Sequence, residues 1–576
     1  MLRIQQLNVT PLISGIDEAY FRGGQVLDGK VFANAGERVS FDTYFNSFSY
    51  TKYRRYTRVD TVYLSLDIEG EARVLLCTFD GEGEEIIDEK LCTGGTVTLS
   101  ADLSALPELG ILYPVIIPTG EVFIRGGEYS AAVTPSDVNV AIAICTYRRE
   151  DAVRHNLEIL SGYEFSIISR VIVVDNGNTL TPSDTESDFI KLYPNKNYGG
   201  SAGFTRGIME AYRASFTHVI LMDDDVIIYP EALERMSVFT SILKDEYKNA
   251  HLSAAMLSST KPYYQHEMGA RWDGQRIKSF KNALDIRERA TLIENMRDEP
   301  LEYGAWWCFC LPLSDVDEFG LPLPLFIKFD DVEYGTRCTK NAPIVTLNGV
   351  AVSHEDFDRK YGIYLEYYNV RNQLITLSLR KRYTALGCTF RLAKATAKNL
   401  FLYRYSAMEP IFRAFGDFLL GADYLMSTDA EELNRSLIAS NPKALSLSDV
   451  PGWEAGMKES FTPHGASIFK KAAIILTLGG HLIPSFMCKR RVAAFPLPDA
   501  KFGYSFGHLR TIQYQLGSDT GYEFNRSVKS FFKCLGACIS LSFKILFKFG
   551  KAKRSFKTAE ARLTSFEFWD EFLSLK

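Results

Sequence analysis

The stretch His218-Val219-Ile220-Leu221-Met222-Asp223-Asp224-Asp225 decides the reading of this chain: a short apolar run ends abruptly in three carboxylates. Such a run suits a strand covered on both faces, as in a parallel sheet. The neighbouring sequence repeats the pattern. Val138–Cys145 and Val171–Val174 are further apolar runs and Phe189–Leu192 a shorter one, with helical stretches at Asp151–Leu160 and Gly203–Arg213. Strand–helix alternation predicts a doubly wound α/β sheet, and ligands on such sheets bind beyond the carboxyl ends of the strands. The polar segments fall at those ends: Cys145-Thr146-Tyr147-Arg148-Arg149, Asp175-Asn176-Gly177, Asn195–Gly203 and the acidic triplet.

Upstream, to about Pro135, short β-rich runs alternate with turn residues: Arg38–Phe45, Val59–Leu66, Arg73–Phe79, Thr96–Ser100, Ile111–Ile117 and Glu121–Ile124. That spacing predicts a β-sandwich or jelly-roll module. From about Arg380 the chain reads as helical, with Arg391–Arg404 and Val528–Phe549 mixing apolar, aromatic and basic residues. The expected division is residues 1–135, 136–380 and 381–576, in keeping with about three domains for 576 residues. A composition of 46% hydrophobic and 23% charged residues excludes collagen-like, low-complexity and wholly disordered chains. A net charge of -5 argues against nucleic acid as a partner of the whole molecule, but the charge is uneven. Residues 381–576 hold 28 Lys/Arg against 16 Asp/Glu, so the C-terminal third is set to meet something anionic. The ten cysteines are scattered without a CxxC pair, which reads as free thiols in a reducing compartment. No signal peptide is expected at Met1–Gln6, and no transmembrane span, since the apolar run Ala472–Cys488 is broken by Gly479-Gly480-His481 and Pro484.

Three adjacent carboxylates at a buried strand end repel one another unless a cation compensates them. Oxygen ligands suit Mg²⁺ or Mn²⁺, and such an ion bridges a nucleotide-sugar diphosphate and stabilises it as it leaves. An acidic surface loop is the plain alternative. The Asn197-Tyr198-Gly199-Gly200-Ser201-Ala202-Gly203 segment opens onto a helix, where backbone N–H groups favour anionic ligands. It is neither a Walker A loop nor a dinucleotide fingerprint. Asp330-Asp331 follows the apolar run Leu325–Phe329, and adjacent carboxylates raise one another's pKa as a general base requires; an acid-rich helix start is the alternative. Trp306-Trp307 offer aromatic faces for a sugar or for the core.

IAICTYRRE, VVDNG, NKNYGGSAGFTRG, VILMDDDV, GAWWCFCLP, LFIKFDDVEYG and VSHEDF occur in the order seen in family 2 glycosyltransferases of the GT-A fold. The chain resembles most the polymerising galactofuranosyltransferase subfamily of mycobacterial type. That group also has an N-terminal β-sandwich and a helical C-terminal region, and Phe41–Asn46 and Tyr53-Arg54-Arg55-Tyr56 look like its segments. The resemblance implies Asp223, Asp225 and His354 as ligands of Mn²⁺ or Mg²⁺, with Asp224 beside them near the donor. It implies Asp331 as the base of an inverting transfer, with Asp330 near it. Trp306, Trp307 and, more weakly, Glu267 fall at the acceptor. Thr146, Arg149, Asp175, Asn197 and Gly200 fall at the nucleotide, with Arg148 competing for the role of Arg149 because Tyr-Arg-Arg replaces the usual Phe-Asn-Arg. Tyr367–Asn372 resembles a segment after the metal histidine in related transferases, without an assigned role.

The implied activity is transfer of galactofuranose from a UDP-sugar donor, UDP-galactofuranose, to a growing, lipid-linked cell-surface glycan. The basic-aromatic segments Lys470-Lys471, Lys489-Arg490-Arg491, Lys529–Lys533 and Phe543–Arg554 suit an anionic membrane surface. They place the enzyme in the cytoplasm, held peripherally at the inner face of the cell membrane; a solvated helical bundle is the alternative, and a homo-oligomer is left open. The rival functions are transfer of rhamnose, glucose or another sugar on the same fold, a non-catalytic carbohydrate-binding protein, and a nucleotidyltransferase.

Overall fold

Val140-Ala141-Ile142-Ala143-Ile144-Cys145-Thr146 carries no charged side chain to give to water, so it folds as a strand with both faces covered. In the structure, a computed structural model that describes residues 1–575 apart from 356–361, 460, 464, 466 and 499, this strand lies inside a seven-stranded sheet. The order is Ile190–Pro194, Ile168–Asp175, Val140–Thr146, His218–Asp223, Cys308–Pro312, His251–Ser253 and Ile344–Val345. The first four run parallel and Cys308–Pro312 runs against them. Strand order reverses beside Val140–Thr146, the position where open α/β sheets receive ligands. A smaller sheet follows, in the order Leu284–Asp285, Tyr264–Glu267, Ala255–Ser258 and Ala351–His354.

Helix Gly199–Arg213 packs on the large sheet through two residues without a Cβ. One built at Gly203 would meet Cys145 Sγ at 2.1 Å, and one at Gly207 would meet Ala143 Cβ at 2.7 Å. The glycine-rich segment expected as a ligand loop is therefore largely the start of this helix, and Gly203 serves packing.

The N-terminal module is a pair of sheets. One holds Leu2–Leu7, Gln25–Leu27, Lys30–Ala33, Thr61–Glu69, Gly95–Asp102 and Val122–Ala131; the other holds Val39–Ser40, Ala72–Phe79, Glu84–Cys92 and Ile111–Pro118. The strand expected over Arg38–Phe45 is only Val39–Ser40; beyond it Phe45 N turns to Ala19 O (3.0 Å), and side chains of the segment tie it to Asn8 and Tyr20. Asn46 Nδ2 donates to Tyr20 O (2.6 Å) and Asn8 O (2.9 Å), its Oδ1 accepts from Asn8 N (2.7 Å), and Thr43 Oγ1 donates to Tyr20 O (2.8 Å). Two compact units result, one of Met1–Leu323 with Asp331–Glu355, the other of Pro324–Asp330 with the described residues after Glu355. The β-module shares a continuous apolar core with the α/β domain in the first unit. At their seam the buried Arg235 binds Glu231 Oε2 (2.7 Å), Asn348 O (2.9 Å) and Phe45 O (3.3 Å).

The second unit is more than helices. Leu365–Arg380, Ala385–Phe401, Met408–Phe418, Ala430–Ser440 and Val528–Leu563 are its longer helices, and it also contains a four-stranded sheet. That sheet, Leu445–Ser446, Thr520–Asn525, Arg510–Tyr514 and Ala493–Pro496 in order, is an element that the mostly helical reading of this region did not include. Val528–Leu563 runs beyond the helix expected over Val528–Phe549. It is the one helix among the described residues long and apolar enough to cross a membrane by length and composition. Lys529, Lys533, Lys544 and Lys548 divide its apolar residues. Phe531, Cys538, Leu541, Ile545, Phe549 and Phe556 recur at helical spacing and are buried, so one face packs inside the unit.

Gly207→Ala forces two carbons into the space of one, with Ala143 unable to swing away. It is expected to lower stability by about 1–3 kcal/mol, read as a drop in the midpoint of urea or thermal unfolding; an unchanged midpoint refutes the packing role.

Candidate active site

Strand His218–Asp223 ends with Asp223, whose N–H donates to Trp307 O (3.3 Å). The chain then turns, and Asn156 of helix Glu150–Ser161 holds the turn by donating to Asp224 O (3.1 Å) and Val226 O (3.0 Å). Ile227 next pairs antiparallel with Ser353, through Ile227 N to Ser353 O (2.8 Å) and Ser353 N to Ile227 O (3.1 Å). This bridge sets the register that carries His354 to the acidic turn, where its Nε2 lies 3.3 Å from Asp225 Oδ1. One ligand atom each of Asp223, Asp225 and His354 falls within 4.8 Å of the others. His354 Nδ1 lies 2.6 Å from Glu355 O, an acceptor only, so it carries the proton and leaves Nε2 for a cation in the neutral ring.

The electrostatics show what the cluster lacks. Burial pushes the Asp223 carboxyl up, and the Asp225 charge adds to the rise. Burial works against protonating His354, but the contact with Asp225 and the two Asp charges outweigh it, and its pKa rises. Carboxylates that draw protons in this way fit a site for a divalent ion with mixed O/N ligands. Arg149 Nη1 reaches Asp225 Oδ2 (2.5 Å) and Asp224 Oδ1 (3.0 Å), so Arg149 supplies positive charge here. Arg148 instead lies over the Tyr147 ring, 5.2 Å from its centroid. Burial raises Asp224 as well, opposed by Arg149 and by the hydroxyl of the buried Thr146.

Of the residues expected at the nucleotide, Asp175 is buried and occupied by its own loop, accepting from Gly177 N (2.8 Å), Thr179 N (2.7 Å) and Leu180 N (2.8 Å). Its neighbour Asn176 ties two strand ends together, donating to Gly199 O (3.0 Å) and accepting from Asn195 Nδ2 (2.8 Å). Asn197 Oδ1 accepts from Gly199 N (3.3 Å), and the partly exposed Gly200 lies in the first turn of the helix.

A second group of acids forms around the small sheet. Glu267 pairs with Met256, which pairs with Val352, and His354 lies two residues further along that strand. Opposed residues share a face and side chains alternate, so Glu267 and His354 face the same way across two strand spacings, about 10 Å. Burial pushes the Glu267 carboxyl up to about 7, the Asp331 charge adding to the rise while the Ser279 hydroxyl, which donates to Glu267, opposes it. Burial also raises the Tyr303 phenol, as do the charges of Asp331 and Glu267, so three residues distant in sequence sense one another. Asp331, near the start of helix Asp330–Cys338, accepts from Val332 N (2.7 Å). Asp330 belongs to the Pro324–Asp330 segment of the second unit. Both tryptophans are 5% exposed. Trp307 donates from Nε1 to Ala254 O (3.3 Å), while Trp306 meets Phe204 edge to face at 5.3 Å. Sequence reasoning missed Ser279 and Tyr303. No motif marks Ser279, whereas Tyr303 stands three residues before Trp306 and could have been flagged by that neighbourhood.

Residues 135–366 match the family model described as glycosyltransferase like family 2, and residues 27–132 match that for the N-terminal domain of galactofuranosyltransferase 2. Among curated proteins, the galactofuranosyltransferase GlfT2 of Mycolicibacterium smegmatis is 29% identical over 68% of this chain and 65% of its own length. That of Mycobacterium tuberculosis is 26% identical over 68% of this chain and 67% of its own. Thus the chain spans about two thirds of the length of the curated relatives it matches. Among solved structures, the mannosyltransferase PcManGT from Pyrobaculum calidifontis, in complex with GDP-Man and Mn²⁺, is 13% identical, with a TM-score of 0.30, covering 54% of this chain and 82% of that one.

The raised Glu267 carboxyl makes a pH prediction. The folded protein holds the Glu267 proton up to about 7 while an unfolded chain releases it near its ordinary value, so the stability that this group contributes is present at acid pH and lost as pH rises through about 7. Glu267→Gln keeps an acceptor for Ser279 but no charge. Its unfolding temperature relative to the parent is expected to climb between pH 5 and about 8; parallel curves would contradict the shift.

Proposed function

Since residues 135–366 carry a family 2 glycosyltransferase domain of the GT-A type, we propose that the chain is a metal-dependent, inverting transferase. It moves galactofuranose from UDP-galactofuranose to the hydroxyl of a growing, lipid-linked cell-surface glycan. The observation that carries this reading is the convergence of Asp223, Asp225 and His354, brought together by the Ile227–Ser353 bridge. These three would hold Mn²⁺ or Mg²⁺, whose positive charge would compensate the diphosphate as it leaves the sugar. Arg149, already beside Asp224 and Asp225, turns to the donor phosphates once the acids are compensated. Asn197 and Gly200, at the mouth of helix Gly199–Arg213, lie where backbone N–H groups meet an anionic donor. Asp175 supports the donor side by shaping its loop.

On the acceptor side, Asp331 takes the proton of the attacking hydroxyl as its oxygen bonds to the anomeric carbon. UDP leaves from the opposite face, which inverts that centre. Glu267, held by Ser279 and poised near neutrality, and the Tyr303 phenol orient the acceptor's hydroxyls, with Trp306 and Trp307 forming the apolar wall. Asp331→Asn keeps the shape and removes the base. Product formation is expected to fall by about 10²–10⁴-fold while UDP–Mn²⁺ affinity, measured by calorimetry, stays within a factor of two or so. With the parent protein, UDP release from UDP-galactofuranose stops on chelation and returns with Mn²⁺ or Mg²⁺. Release from UDP-glucose or a rhamnose donor alone would reassign the donor, and pyrophosphate release would indicate nucleotidyl transfer.

The acceptor's lipid and the basic C-terminal third motivate the cellular location: cytoplasmic, on the inner face of the membrane. Phe532, Phe543 and Phe547 are exposed on helix Val528–Leu563 among Lys529, Lys533, Lys544 and Lys548, and Ile468 and Phe469 are exposed beside Lys470 and Lys471. Exposed aromatics interleaved with lysines bury in an interface while the cations meet anionic lipid. Phe543→Glu with Phe547→Glu is expected to abolish co-sedimentation with phosphatidylglycerol vesicles without changing the circular dichroism; full retention on the vesicles would refute this surface.

A further inference from the structure

Three of the four residues Phe326–Phe329 hold left-handed backbone just before the acidic pair: Phe326 (φ 73°), Lys328 (φ 65°) and Phe329 (φ 72°). Side chains other than glycine enter that region at a cost, bulky ones most of all, and stay there only where the surroundings impose it. In the second unit one side chain imposes it. Asn372, fully buried on helix Leu365–Arg380, donates through Nδ2 to Lys328 O (2.7 Å), Ile327 O (3.0 Å) and Leu325 O (3.1 Å). An amide has two protons for these three carbonyls, so one proton is shared. Arg371 fixes which way the amide points: its Nε donates to Asn372 Oδ1 (3.0 Å), and its Nη2 donates to Leu325 O (2.8 Å). Tyr368 stacks on Phe326 with ring centroids 5.1 Å apart, closing the apolar side of the loop. These residues all lie in the Tyr367–Asn372 segment, for which the sequence suggested no role.

Asp331 is two residues beyond Phe329. Resting on the reading of Asp331 as the base, we propose that Asn372, oriented by Arg371, is a positioning residue for that carboxylate: it imposes the left-handed path of residues 326–329 and thereby fixes how the backbone enters Asp331. A carboxylate displaced by a fraction of an ångström loses its line to the acceptor hydroxyl, while the metal cluster, built on other segments, is untouched.

The test uses the full-length protein with UDP-galactofuranose, Mn²⁺ and a galactofuranosyl acceptor. Asn372→Ala is expected to lower kcat about 100-fold with the Kd for UDP–Mn²⁺ unchanged. Lys328→Gly, at an exposed position, lets the chain adopt φ 65° without a Cβ penalty. Alone it leaves kcat near that of the parent, and combined with Asn372→Ala it recovers most of the lost rate. A residue that merely supported folding would change the yield and melting temperature of the variant, not kcat per folded molecule, and Lys328→Gly would not rescue it. If Asn372→Ala does not fold, Arg371→Lys, which loses the paired contact to Asn372 and Leu325, takes its place in the same comparison. Parental kcat in the clamp variant, or a loss that Lys328→Gly leaves unrepaired, overturns the proposal. Activity in Asp331→Ala would overturn the assignment of the base instead, whatever the clamp variants do.

Discussion

The repulsion between Asp223 and Asp225 is the constraint around which the first unit is arranged. Two carboxylates at the end of a buried strand are stable only if positive charge or protons come to them, and every neighbouring element contributes to that end. Asn156 fixes the turn. Arg149 approaches from the end of the adjacent strand, and the Ile227–Ser353 bridge carries an imidazole to the remaining side. Burial raises the Asp223 pKa and the Asp225 charge adds to it, while His354 is raised against its own burial by the contact with Asp225. A divalent cation would compensate both acids through the mixed O/N ligands that these three side chains offer.

The N-terminal module is part of the same economy. Its Phe45 carbonyl and the Asn348 carbonyl share the guanidinium of Arg235, while Glu231 balances the charge and accepts from Gln6 N (2.8 Å). A buried ion pair contributes modestly to stability but is costly to break, because the survivor is left unpaired. It therefore acts as a register pin between the module and the α/β domain. Behind Glu267, Gln265 accepts from Tyr44 OH (3.0 Å) and meets Asn295, and Asn295 donates to Asn348 Oδ1 (3.0 Å). The strand that carries Glu267 is thus anchored directly on the β-module.

Legibility followed the physics of each element. The parallel strands were plain because full burial leaves no alternative to uniform apolar sequence, and the acidic triplet marked its strand's end. The partnership of His354 with Asp225 was reached only through resemblance, since a bridge between Ile227 and Ser353 leaves no trace in spacing. Asp175 and Gly203 were visible, but their local roles were not. An Asp that caps its own loop and a glycine that admits a neighbouring sulfur look, in sequence, the same as ligand contacts. Ser279 carried no signal. The sheet of the second unit was missed because its strands are short and separated by long stretches, from Leu445 to Asn525. The helix was legible over Val528–Phe549, and its continuation to Leu563 was not, because Lys551, Lys553, Arg554 and Lys557 interrupt the apolar positions of its buried face.

The first strand, Leu2–Leu7, pairs with Val122–Ala131, and Gln6 is further held by Glu231. On a ribosome that adds about 5–20 residues per second, Leu2–Leu7 wait several seconds for Val122–Ala131 and longer for Glu231. Meanwhile Ile4 and Leu7, buried at the end, are open to any passing hydrophobic surface. Leu2–Leu7 is thus secured only after the rest of the β-module and part of the α/β domain have been made.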